Sequence, residues 1–132
     1  MAISSTAAVQ AWRNEAVYVA SKGATAALVR GMAVDLAPLG IVVNAVAPGS
    51  IDTPGVSPEI RENAEAVRHD LDRTPLGRWG RPSEIAEAVL FLAEATFVTG
   101  QSLYVDGGFL VTGSGGHLAA RPGDSFAARQ GS

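Results

Sequence analysis

The sequence of 132 residues contains no cysteine and a single lysine, Lys22. Without thiols, disulfides and thiolate metal sites are excluded. The two histidines, His69 and His117, stand alone, which leaves a metal site without support. Aromatic residues make up only 6% of the chain, and the apolar ones are mostly Ala, Val and Leu. That bias favours closely packed helices over an aromatic-rich β-sandwich. No apolar run approaches the ~20 residues that span a bilayer. No basic stretch followed by an apolar one marks a signal peptide. Net charge is -3, and the nine arginines are scattered, which argues against a nucleic-acid partner. The expectation is a soluble cytoplasmic chain with no membrane and no nucleic acid among its partners.

A hydrophobic share of 47% suits a globular core, and the length fits one domain. Residues 2–5, "AISS", read as the end of a strand entering a polar loop. From Val17 to about Ala37 the pattern predicts a helix, with Ala20, Ala24, Ala27, Leu28 and Leu36 on a small-residue face. "PLG" at Pro38 to Gly40 stops it. "IVVNAVA" is short, β-branched and nearly all apolar, as expected of a strand buried on both faces. "PGSIDTPG" breaks the chain. A short helix is expected around Pro58 to Asp72, then the turn-rich "TPLGRWGRP". "SEIAEAVLFLAEA" predicts an amphipathic helix with Pro82 in its first turn. "QSLYVDGG" reads as a last strand and turn. After Gly108 the pattern is lost, and residues 110–132 are expected to form a mobile tail.

Strands alternating with helices imply crossover connections and a parallel sheet. The fold class expected is α/β, a partial Rossmann-like, doubly wound sheet of about three strands with flanking helices.

The chemistry gathers near the start of the chain. Tyr18 and Lys22 are four residues apart at a helix start, so they share one face. Arg replaces Lys freely on most surfaces, but not where a compact ammonium on a flexible stem is needed. An ammonium beside a phenol favours the phenolate. A tyrosine so placed can exchange a proton with a substrate hydroxyl or carbonyl. A hydroxyl from the preceding loop, Ser5 or its neighbour Ser4, can hold the same oxygen. The trio suits carbonyl/alcohol interconversion, in which charge develops on one oxygen. An ordinary tyrosine with a solvated lysine one turn along is the competing explanation of the spacing alone.

"SS…YVASK", "IVVNAVAPGSIDTP", "PLGRWGRPSEIAEAVLFLA" and "VTGQSLYVDGG" occur together and in order. This combination resembles the C-terminal half of a short-chain dehydrogenase/reductase, in the manner of the 3-oxoacyl-carrier-protein-reductase-like members. The resemblance covers residues 1–109, the half-domain. It implies that Ser5 orients substrate, that Tyr18 is the general acid/base, and that Lys22 supports Tyr18 and binds the nicotinamide ribose. It places Pro48 and Gly49 in the turn against the nicotinamide, with Ile51 (through its backbone) and Thr53 at the carboxamide. The implied cofactor is NAD or NADP. Residues 55–76 correspond to the family's variable substrate lid; their charges are expected to be solvated, and Trp79 is expected to serve packing. Asp106, Gly107 and Gly108 are expected to shape the final turn.

The family's glycine-rich dinucleotide turn does not occur in this sequence. "GSGG" at Gly113 to Gly116 has no helix pattern after it. The family's catalytic asparagine and its adenosine-ribose-reading residue are absent too, and "EATF" makes a shorter loop than usual before "VTGQ". The resemblance therefore implies weak or absent NAD(P) binding by the chain alone, and doubtful independent turnover. Two functions follow: an oxidoreductase completed by a separate chain, or a non-catalytic oligomeric remnant or interaction module. An unpaired sheet edge and uncovered helices imply a homo-oligomer, dimer or tetramer, built on the long helix or the last strand.

Overall fold

The structure, a computed structural model, describes residues 1–112. The Gly113–Gly116 run, His117 and the rest of the expected tail lie outside the described residues. Three strands, β1 (Ala2–Ile3), β2 (Ala45–Pro48) and β3 (Ser102–Val105), form one parallel sheet in the order β1-β2-β3. Four α-helices flank them: α1 (Ala16–Leu36), α2 (Pro58–Glu62), α3 (Ala64–Arg73) and α4 (Pro82–Glu94). This is the expected α/β architecture.

The central strand is the most deeply buried part of the molecule. Ala45, Val46 and Ala47 are fully enclosed, because β2 is paired on both sides and covered on its faces. Ala2 lies opposite Ala45, and Ala45 opposite Ser102. The strand is shorter than the apolar run suggests. Residues 41–44 approach it without forming a regular ladder, and single bonds serve them instead. Val43 N–H donates to Thr99 Oγ1 at 3.0 Å, and the buried Asn44 side chain bridges the loop before β3. Its Nδ2 donates to the Val98 carbonyl at 2.6 Å, and its Oδ1 accepts from Gln101 N–H at 3.1 Å.

Helix α1 presents Ala26, Val29 and Ala33 to the sheet, where Val29 and Ala33 pack with Val43 and Ala45. Of the expected face, Leu36 packs against this core, but Ala20, Ala24, Ala27 and Leu28 are exposed. Ala, Val and Leu are spread around this helix and give it little periodic contrast, so its sequence does not choose the face. A 3-10 turn, Ala37–Leu39, and Gly40 at φ 72° end the helix where "PLG" predicts a stop.

The expected helix from Pro58 to Asp72 is broken in two at Asn63, whose side chain caps the second piece by accepting from Ala66 N–H at 3.0 Å. Pro82 begins α4 as expected. The chain from Phe109 to Thr112 forms a 3-10 turn with Phe109 buried, so residues 110–112 belong to an ordered element. Asp106 fixes that turn by accepting from the N–H groups of Gly108 and Leu110. Among the described residues, no helix is long and apolar enough to cross a membrane.

Candidate active site

The end of β1, the start of α1 and the turn after β2 converge on one cavity of about 360 Å³. Ser5, Tyr18, Lys22, Pro48, Gly49, Ile51 and Thr53 all line it, so residues up to 48 positions apart in the chain share one site. Parallel strands produce this convergence: β1 and β2 end at the same edge of the sheet, and their following segments rise side by side.

The structure separates the two neighbouring serines. Ser4 is buried and spends its hydroxyl on structure, donating to the Lys22 carbonyl at 3.1 Å. Ser5 is half-buried and starts a 3-10 turn, Thr6–Ala8, with Oγ accepting from Ala7 N–H at 3.1 Å. That bond leaves the Ser5 O–H proton available to a substrate oxygen.

Lys22 is held at both ends. Its Nζ donates to the Ile3 carbonyl at 3.2 Å and lies 5.6 Å from the Tyr18 ring centroid. The ammonium thus stands over the tyrosine ring while tied to β1. Tyr18 is 46% exposed, open enough for its hydroxyl to meet a ligand.

The β2 turn is shaped by close backbone approach. A Cβ on Gly49 would lie 2.9 Å from Asp106 Cα, so only glycine fits against the end of β3. Ile51 forms a parallel bridge with Gly80. The bonds of that bridge run from Gly80 N–H to Ser50 O and from Asp52 N–H to Gly80 O. Ile51's own N–H and C=O take no part in it and face away from Gly80. Thr53 is positioned by Arg61, which bonds the Thr53 and Val56 carbonyls and forms a 2.8 Å ion pair with Asp52. Arg61 is therefore a clamp on the site loop, where the sequence suggested a solvated helical charge.

A second, larger cavity of about 1170 Å³ adjoins the first, and Tyr18 and Ile51 line both. Its wall includes Trp79, whose Nε1 donates to Asp70 Oδ2 at 2.7 Å and so joins α3 to the turn before α4. Asn14 and Glu15 stand at its rim, Asn14 at φ 68°. No spacing rule pointed to Glu15, Asp70 or Asn14. Trp79 was visible only as a packing residue.

Near the cavities, Glu84 ties the loop after α3 to α4. It accepts from Arg78 Nη1 and Nη2 at 2.9 and 2.6 Å, and from Arg81 N–H at 2.7 Å. Those bonds, Arg78 first, hold its carboxyl down at about 2. Glu59 is also held below the ordinary carboxylate range, chiefly by a backbone hydrogen bond and then by Ser57. Among the described residues, no group of acidic or imidazole side chains forms a metal cluster.

Tyr18 and Lys22 thus stand one turn apart above the strand ends of an α/β parallel sheet. The family model described as enoyl-(acyl carrier protein) reductase matches residues 1–110. The chain belongs to the short-chain dehydrogenase/reductase family. It is 50% identical over 96 residues to galactitol 2-dehydrogenase (L-tagatose-forming) of Cereibacter sphaeroides, covering 71% of this chain and 37% of that protein. It is 40% identical over 111 residues to a 3-oxoacyl-[acyl-carrier-protein] reductase of Thermotoga maritima, covering 83% of this chain and 44% of that one. Among solved structures it resembles a gluconate 5-dehydrogenase of Burkholderia cenocepacia in complex with NADP and tartrate. There the TM-score is 0.78 and identity 39%, over 83% of this chain and 43% of that chain. The chain thus spans less than half the length of the relatives it matches.

The residues present fit the nicotinamide end of such a cofactor. Lys22 has three N–H donors and uses one on Ile3, leaving donors for ribose hydroxyls. Ile51's backbone amide is outside the bridge, and the cavity volume falls in the range of small-molecule sites, ~300–1,000 Å³.

Proposed function

We propose that this chain supplies the proton-transfer and nicotinamide-binding part of an NAD(P)-dependent oxidoreductase that interconverts an alcohol and a carbonyl. The observation that carries it is the convergence of all seven site residues on one cavity. Tyr18 exchanges the proton with the substrate oxygen, giving it up as a carbonyl is reduced and taking it as an alcohol is oxidised. Lys22, whose ammonium stands over the Tyr18 ring, binds the nicotinamide ribose. Ser5 donates to the same substrate oxygen and fixes its distance from Tyr18. Pro48 and Gly49 set the floor under the nicotinamide, and Ile51 and Thr53 bond its carboxamide. When bound, NAD(P) supplies or accepts the hydride.

The family's glycine-rich turn, which cradles the pyrophosphate, has no counterpart in this sequence. Remote binding energy normally positions the reacting end, so the residues present are expected by themselves to bind NAD(P) weakly. The test is titration of the purified chain with NADH and NADPH, followed by nucleotide fluorescence. Saturable binding that disappears in Lys22→Ala supports the reading; no binding at millimolar nucleotide sinks it.

A second reading, a non-catalytic oligomeric module, is favoured by apolar surface. Leu28 and Val34 on α1 and Leu90 and Phe91 on α4 are exposed, and among the described residues β1 and β3 each pair on one side only. In this reading a homo-oligomer covers such surface. Light scattering that finds a stable monomer would contradict it.

A further inference from the structure

Resting on the reading of Tyr18 as the proton-transfer group, we propose that the larger cavity selects uncharged polyhydroxy substrates and rejects carboxylates, with Glu15 and Asp70 as the specificity-determining residues. The about 1170 Å³ cavity reaches Tyr18, so it is where a substrate oxygen would approach the phenol. Glu15 and Asp70 line it and, among the described residues, no arginine or lysine does.

Neither carboxylate is neutralised: among the described residues, the ion pairs involve Asp52, Asp72 and Glu84, not Glu15 or Asp70. The nearby cations are committed elsewhere. Arg61 is paired with Asp52, Arg78 with Glu84, and Lys22 lines the smaller cavity. Arg13, next to Asn14 in the chain, is exposed and outside the lining. The amino end of α1 faces this region and by itself would favour an anion. Glu15, the residue immediately before that helix, places a carboxylate there instead.

Beside the apolar Val17, Ile51, Val56 and Ile60, part of the lining can hold hydroxyl groups. Ser21, Ser50 and Ser57 offer hydroxyls that both donate and accept, and Asn14 offers an amide. Asp70 uses Oδ2 on Trp79 Nε1, which leaves Oδ1 as an acceptor for a substrate O–H. A substrate carboxylate has no O–H to give it and meets two like charges across an open cavity. The rejection is electrostatic, so it weakens with salt.

The test uses glucitol and gluconate, which share a six-carbon polyol chain and differ in one end, CH₂OH or carboxylate. Each is titrated into the full chain at pH 7 with NAD present, following the fluorescence of Trp79 in the cavity wall; the other tryptophan, Trp12, stacks on Phe109. Glucitol is expected to bind at least about tenfold more tightly than gluconate at low salt. The gap should shrink in ~1 M salt, where the screening length is ~3 Å. The double variant Glu15→Gln, Asp70→Asn should bring gluconate binding up to that of glucitol. The amide oxygen introduced at position 70 can still accept from Trp79 Nε1, so the wall of the cavity keeps its tie. Gluconate binding as tightly as glucitol to the unaltered chain, or a gap that survives the double variant, overturns the selectivity while leaving the site in place. Binding of neither compound overturns the reading of this cavity as a substrate site, and the selectivity with it.

Discussion

Ser4 and Lys22 clasp β1 to α1 in both directions. Ser4 Oγ donates to the Lys22 carbonyl at 3.1 Å, while Lys22 Nζ donates to the carbonyl of Ile3, the residue before Ser4, at 3.2 Å. Tyr18 thus rests on a helix whose position depends on a two-residue strand. Ser4→Ala removes one half of the clasp without burying a new charge. A loss of about 1 kcal/mol in urea unfolding is expected, together with weaker nicotinamide binding because Lys22 is less well placed. Unchanged stability and binding would show that the clasp contributes to neither.

Gly49 sits where the turn after β2 meets the end of β3. Gly49→Ala would place a methyl 2.9 Å from both Cα and Cβ of Asp106. Backbone cannot step aside as a flexible side chain can, so about 1–3 kcal/mol of destabilisation is expected. A thermal melt should show a lower midpoint, with the nicotinamide site disturbed in the same variant.

Phe109 is the centre of a long-range contact. Trp12 stacks on it at 6.1 Å and 27°, and the Arg73 guanidinium lies 4.5 Å from the same ring. One ring therefore joins the loop before α1, the end of α3 and the last 3-10 turn. Phe109→Ala is expected to cost about 3 kcal/mol and to shift the Trp12 emission to the red as that indole meets water. A native emission spectrum would refute the contact.

Glu84 gives the fold a pH dependence in the acid range. Its folded value of about 2 lies below the ordinary 4.5. The unfolded chain therefore takes up this proton first, and the contribution is complete above 4.5 and lost as pH falls toward 2. Glu84→Gln should be less stable than the parent near neutrality, with the difference closing across that window. Acid titration by circular dichroism checks it; parallel curves would contradict the role of the Arg78 and Arg81 bonds.

Much of this arrangement is legible in the sequence because it is local. Pro38 to Gly40 marks the end of α1, Pro82 the start of α4, and the Tyr18/Lys22 spacing the shared helical face. What was not legible depends on partners distant in the chain. The break at Asn63 has a local signal, an asparagine able to cap, but an otherwise continuous polar pattern hides it. Arg61 reads as a surface charge until the fold brings Asp52, Thr53 and Val56 beneath it. The buried face of α1 is set by where Val43 and Ala45 lie, since alanine and valine occur all around the helix. Ser4 and Ser5 are equivalent as residues, and only their burial distinguishes a structural hydroxyl from an available one.

The central proposal is that the described residues hold the nicotinamide end of NAD(P), through Lys22, and not the adenosine end. The most direct measurement compares the binding of reduced nicotinamide mononucleotide and NADH to the same chain, with Lys22→Ala alongside. The account predicts equal affinities for the two compounds and loss of both in the variant. NADH binding more than about tenfold tighter than the mononucleotide, or binding of either that is indifferent to Lys22, would contradict it.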